Sequence, residues 1–215
     1  MVYDVSDLMR DVRVALDMNN SSEQLVLTGD VDTLTLDEVI KEKLPLAARI
    51  VESEAPHHLL DNGKAFADTI GWRGEIGKGS GIVKLPDDFL RLVSFQMSDW
   101  SYPVTVAITE ESPLYAQQHS RYAGLRGTPQ KPIVAITQHP TGLHLEFFSC
   151  KVGESVTLNR ARYIAMPKIN NGSIELCEKL RDAIVHYTAY MVALTVGEPE
   201  RAKLLLDMSS TLMNQ

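Results

Sequence analysis

The sequence predicts an α+β fold: a helical bundle formed by N- and C-terminal helices, with an inserted antiparallel β module. Three observations carry this. Apolar residues recur at helical spacing before residue 60 and again after residue 170. Between residues 61 and 170 that period gives way to glycine punctuation and short alternating runs. The chain of 215 residues, 44% hydrophobic and 23% charged, can bury a core as one domain or two closely joined ones. The expected division is helices over 1–60, a sandwich or barrel-like module over 61–170, and a helical hairpin over 171–215.

In chain order, Asp4 caps a first helix reaching about residue 18, with Val5, Leu8, Met9, Val12, Ala15 and Leu16 on one stripe. Asn19-Asn20-Ser21-Ser22 ends it, and Leu25-Val26-Leu27 suits a short extended piece. Thr35 and Glu38 form a capping box for a second helix whose apolar face is Leu36, Val39, Ile40, Leu44, Ala47, Ala48 and Val51. Pro45 predicts a kink over 42–44, and Pro56 a stop. Strands are expected over 81–85, 90–96, 103–108, 133–138, 143–148 and 156–163, with His139-Pro140-Thr141-Gly142 as a hairpin turn. Residues 112–126 suit a short helical or irregular excursion and 127–132 a loop.

Near the C-terminus, Cys177, Leu180, Ile184, Tyr187, Met191 and Leu194 step by three and four, which predicts a helix over 174–196, about 35 Å long. Asn171-Gly172-Ser173 serves as its turn and N-cap, and Glu175 and Glu178 suit its first turn. Gly197 supplies the stop, and Pro199 opens a second helix with Leu204, Leu205, Met208 and Leu212 as its apolar set.

The net charge of −7 is unevenly spread. Between residues 113 and 168 stand seven basic and two acidic residues, net +5, and the remainder sums to −12. A basic module in an acidic frame suits subunits that stack basic face to acidic face, and it also suits nucleic acid. Cys150 and Cys177 form no CxxC pair and are expected as buried free thiols. With no signal pattern and no apolar run of membrane-spanning length, the expectation is a soluble protein of a reducing cytoplasm, with no membrane contact.

The search for chemistry gives weak candidates. In the glycine-rich stretch 72–80, Trp72 and Gly79 occupy the positions where a phosphate loop needs glycine and Ser or Thr, so a connector is expected. Glu54, His57, His58 and Asp61 have half the spacing of a di-metal site, but Pro56 interrupts the helix that would align them. No serine sits in a nucleophile elbow, and His119, His139, His144 and His186 lie in unlike contexts. No cofactor, metal site or catalytic set is expected, and the chain is read as no enzyme. Arg121, Arg126 and Lys131 interleaved with Tyr115 and Tyr122 suit either phosphates with stacking or pairing with the acids of a neighbouring chain; the second is favoured.

The run Leu85-Pro86-Asp87-Asp88-Phe89-Leu90-Arg91-Leu92-Val93, then Trp100 and Pro103-Val104, is similar to the opening of the β module in head-to-tail connector proteins of short-tailed phages. These are the adaptor, gatekeeper or tail tubular rings beneath the portal. Ala183, Tyr187 and Ala189, then Gly197-Glu198-Pro199-Glu200-Arg201-Ala202, also resemble that family's closing helices. The subgroup resembled is that of the crAss-like phages of gut Bacteroides, which stack several such rings.

The resemblance implies a structural virion protein assembled in the host cytoplasm. It would form a homo-oligomeric ring of about twelve copies with closed symmetry. It would contact the portal protein and other tail or ring proteins and line a channel through which DNA passes without sequence-specific binding. Arg121, Tyr122, Arg126, Lys131, Arg160 and Arg162 would then serve subunit or channel contacts, and Arg201, Lys203, Met208 and Leu212 docking on the portal or a neighbour. Two alternatives remain: a nucleic-acid-binding module using the basic 113–168 region, and a metal enzyme built on Glu54, His57 and Asp61.

Overall fold

The computed structural model describes residues 1–16, 35–66, 69–73, 79–151 and 156–214. Its elements are, in order, β1 (Val2–Asp4), α1 (Val5–Ala15), α2 (Leu36–Glu54), β2 (Lys64–Ala65), β3 (Gly71–Arg73), β4 (Ser80–Lys84), β5 (Phe89–Met97), β6 (Ile108–Thr109), α3 (Pro113–Gln118), β7 (Val134–His139), β8 (Gly142–Phe147), β9 (Leu158–Ala165), β10 (Ile169–Asn170), β11 (Ser173–Glu175), α4 (Arg181–Val196) and α5 (Pro199–Met213). The fold is α+β and divides into two compact units. One comprises Met1–Asp61 with Met166–Gln215, the other Asn62–Ala165.

In the first unit the helix ends follow their signals. The Asp4 carboxylate accepts from the Ser6 amide at 2.7 Å and opens α1. Thr35 and Glu38 bond reciprocally at α2, the Thr35 amide donating to Glu38 at 2.7 Å. α2 runs through Pro45 as one 19-residue helix, and its predicted apolar face is the buried one. The expected C-terminal turn of the first helix and the extended piece at 25–27 lie outside the described residues.

The long helix over 174–196 is corrected. Asn171 and Gly172 both have positive φ (50° and 78°) and form the two-residue turn of a hairpin, β10 to β11. β11 then pairs with β1, completing a three-stranded sheet β1-β11-β10. Glu178–Leu180 is a 3-10 turn, and α4 begins only at Arg181. Its seam also differs: Leu194 is exposed and Tyr187 and Met191 are half-buried, while Ala183, Ile184, Val185, Thr188, Ala189, Val192 and Ala193 are buried. α4 packs against α1, α2 and α5, so most of its circumference is core, and small residues admit the close neighbours. Gly197 caps it with φ of 87°, and Pro199 starts α5 as expected. On α5 only Leu205 of the predicted apolar set is buried, with Ala202 and Ser209 beside it; the Ser209 hydroxyl donates to the Ala183 carbonyl at 2.9 Å.

The second unit has a three-stranded sheet β2-β9-β5 and a five-stranded sheet β3-β4-β8-β7-β6. Their shared core contains Phe95, whose ring lies 5.7 Å from Trp100, 5.8 Å from Phe147 and 6.3 Å from Phe66. A Cβ on Gly81 would collide with the Phe147 ring, so glycine is required on β4 opposite that ring. Every ladder is antiparallel except β6 with β7, a short parallel pair at an edge. Five of the six expected strands form within two residues of their predicted ends. The sixth, over 103–108, reduces to a bridge between Val104 and Phe95 followed by β6. Pro103, lacking an amide hydrogen, limits the pairing there. The module ends at Ala165 and not near 170, because β10 pairs with β11.

Candidate interaction surfaces

Residues 98–133 join β5 to β7 and contain α3; they are tied down at both flanks of an exposed tip. The Lys151 amide donates to Asp99 at 2.7 Å, and the Gln138 amide to Glu110 at 2.9 Å. Gln118, buried at the end of α3, donates to the Leu114 carbonyl and accepts from the Gly127 amide at 2.7 Å. Gly127 itself lies against the Ser149 hydroxyl and the Lys131 carbonyl, leaving no room for a side chain.

Beneath α3 lies a buried charge. Period-two alternation sends Leu145 and Phe147 into the core and Glu146 to the other face of β8, where it is nonetheless only 1% exposed. It is enclosed by donors from three elements. Arg73 of β3 reaches both carboxylate oxygens, the Tyr115 hydroxyl of α3 donates at 3.2 Å, and His139 Nε2 of β7 lies at 3.3 Å. His144 stacks edge-on against His139 at 4.7 Å. Burial, then the adjacent Glu146 carboxylate, pushes the Tyr115 phenol above its ordinary pKa. With Tyr115, His119 and Phe148 in mutual edge contact, the cluster anchors α3 to the sheet.

Held this way, the tip presents Tyr122, 65% exposed, and Leu125, 53% exposed, around the 3-10 turn Ala123–Leu125. The Arg121 guanidinium stands 5.7 Å over the Tyr122 ring, and Arg126 Nη2 reaches the Arg121 carbonyl at 3.5 Å. Arg121, Tyr122 and Arg126 therefore form one knob. Lys131 is exposed at its base, in the turn closed by Thr128. Arg160 and Arg162 belong elsewhere: they project from β9 on the face opposite buried Ala161 and Tyr163, and Arg162 donates to the Gly63 carbonyl at 3.2 Å. Counted by unit, Asn62–Ala165 carries 11 basic and 9 acidic residues, net +2, and the helical unit 10 and 19, net −9. The positive charge is thus concentrated locally within a nearly neutral module.

On α5 the four expected docking residues diverge. Arg201 donates to the Leu16 carbonyl at 3.0 Å and pairs with Glu198 at 2.9 Å, so it completes the C-terminal end of α1. Lys203 and Met208 lie five residues apart, about 140° around a helix, on different faces. Met208 and Leu212 share a face, and the third member is Leu204, which the sequence groups with them and Leu205 in the apolar set of this helix. Leu204 is 66% exposed and Met208 50%. The signal that separates the stripes is residue size: Ala202, Leu205 and Ser209 allow close approach to α4, and the larger residues four apart are left outside.

Asp61 accepts from the Glu178 amide at 3.2 Å, and the His58 carbonyl from Lys179 at 3.1 Å. Among the described residues no group of three His, Cys, Asp or Glu side chains could hold a metal. Cys150 and Cys177 are buried free thiols, each pushed up to about 12 chiefly by burial, which leaves little thiolate. In the glycine-rich stretch, residues 74–78 lie outside the described residues; Arg73 serves Glu146, and the Gly79 carbonyl accepts from Cys150. Among the described residues no helix is long and apolar enough to cross a membrane. The chain matches no family model, and no curated protein compared with it is similar.

Proposed function

We propose that this chain is a structural virion protein that assembles into a ring in the head-to-tail connector of a phage, beneath the portal. In this role it bridges portal and tail rings and lines the channel through which DNA passes. One observation carries the proposal: among the described residues each unit presents large exposed apolar side chains next to charged ones, and the two surfaces differ in chemistry. The β module offers the Arg121, Tyr122, Leu125 and Arg126 knob, and the acidic helical unit offers the Leu204 and Met208 stripe. Two unlike surfaces on one chain are what a heterologous ring interface or a stack of rings requires. Helices from both chain ends around an inserted β module, as in the family resembled, support the same assignment.

The test is native mass, measured on the purified protein alone and after mixing with the portal protein of the same genome. The expected result is incorporation of about twelve copies per portal ring, in keeping with cyclic symmetry. A protein that stays monomeric in both samples overturns the proposal.

A second reading, nucleic-acid binding, draws on the exposed Arg160 and Arg162, side by side on β9. It requires duplex affinity that falls steeply with salt; absence of binding at low salt rules it out.

A further inference from the structure

We infer that the Arg121–Tyr122–Leu125–Arg126 knob of one copy docks on the outer face of α5 of a second copy, with Leu204 and Met208 as the apolar seat and Glu200 and Asp207 as its charged rim. This rests on the proposed ring function and assigns its subunit interface.

Both surfaces expose large apolar side chains that none of the described residues covers. Tyr and Arg together are the chemistry of interface hot spots, because a rigid ring and a planar guanidinium bury much surface at little entropic cost. The knob is preorganised. The Ser120 hydroxyl accepts from the Tyr122 amide at 3.2 Å, the Leu125 amide donates to the Tyr122 carbonyl at 3.1 Å, and Gln118 holds the Gly127 amide. Little ordering is left to be done on binding.

Charge selects the occupant. Neither Arg121 nor Arg126 has a carboxylate partner among the described residues, although each lies beside exposed apolar surface. On α5, Glu200 and Asp207 are exposed and likewise have no ion-pair partner among the described residues. At 100° per residue they flank Leu204 on the side away from Ala202 and Leu205. Two arginines without carboxylate partners beside a Tyr–Leu pair thus match two carboxylates along one side of a Leu–Met pair, next to Lys203 but in no ion pair with it, in a unit of net −9. A second copy supplies that complement in both directions, because each chain carries one knob and one seat.

The experiment uses two full-length double variants, R121E/R126E and E200R/D207R, with thermal melts to confirm folding. Each variant opposes like charges across its own knob–seat contact, so each alone should self-associate at least tenfold more weakly than wild type. Mixed, the two restore complementarity at every contact and should assemble in alternation. Wild-type association should also weaken between 50 and 500 mM salt. As a measure independent of affinity, chains carrying Y122C mixed with chains carrying L204C should form an intermolecular disulfide under mild oxidation; both native thiols are buried.

Variants that assemble like wild type, or a mixture that stays apart and forms no Y122C–L204C crosslink, overturn the inference. If such a protein still joins the portal ring, the ring proposal stands and only the interface is wrong. Loss of both is the failure of the ring proposal itself. Variants that lose duplex binding and show no crosslink assign the knob to nucleic acid instead, and overturn the inference equally.

Discussion

Glu52 and Glu146 are equally buried carboxyls, each 1% exposed, with different surroundings. Glu146 has a guanidinium across both oxygens, which offsets the desolvation of its charge. Glu52, on α2, accepts the Cys177 amide at 2.7 Å, and burial raises its pKa to about 7 from 4.5, only partly countered by that bond. Between about pH 4.5 and 7 the folded chain therefore holds a proton that the unfolded chain has released. Stability from this group falls as pH rises through that window and levels off above it. At about 1.4 kcal/mol per unit, the ionised carboxylate costs the fold up to roughly 3 kcal/mol. E52Q retains an oxygen for the Cys177 amide and removes the charge. It should be more stable than wild type by roughly 1–3 kcal/mol at pH 8 and nearly equal at pH 4.5, read from urea midpoints. A variant weaker than wild type at pH 8 would mean that the charged form is itself stabilised by its neighbours.

Among the elements, the turn between β10 and β11 does more than reverse the chain. The Gly172 carbonyl accepts the Val5 amide at 2.9 Å, at the first position of α1, so this two-residue turn also satisfies a helix end contributed by the other terminus. Gly172 has φ of 78°, and a Cβ there would meet nothing within 4 Å. The cost of G172A is therefore conformational, about 1–2 kcal/mol. N171G, at φ of 50°, should be close to neutral. Equal losses in the two, measured by thermal melts, would place the sensitivity in side-chain contacts. This turn was legible in the sequence as a break but not as a hairpin. Asn-Gly followed by Ser serves either purpose locally, and what decides is β1, a three-residue strand some 170 positions away. Local signals were read well where the determinant is local, as at Asp4, at Thr35 with Glu38, and at the His139–Gly142 hairpin. That Leu205 is buried and Leu204 exposed was not legible, because periodicity finds an apolar stripe without saying what covers it. Glu146 escaped notice because Arg73, Tyr115 and His139 reach it from three different elements.

At the scale of the whole chain, the β module is an insertion whose two ends meet. Lys64 and Tyr163 are direct cross-strand partners in β2 and β9, so two residues inside its ends the module's entering and leaving strands run about 5 Å apart. The chain between Asp61 and Met166 is thus closed by pairing within the module itself, so loop closure adds little to the entropy cost of the helical unit. The module in turn has its own core of Phe66, Phe95, Phe147, Trp100 and their neighbours, drawn entirely from residues 62–165. These two facts predict separability. A fragment of residues 62–165 should unfold in one cooperative transition with near-ultraviolet signals from Trp100 retained before it. The helical unit, rejoined across 61 and 166 by a few Gly and Ser residues, should keep its helical circular dichroism and its urea midpoint within about 1 kcal/mol of the corresponding transition in the intact chain. A fragment that melts without cooperativity would show that the module depends on the helices for its core, and the insertion would then be a continuous part of one folding unit.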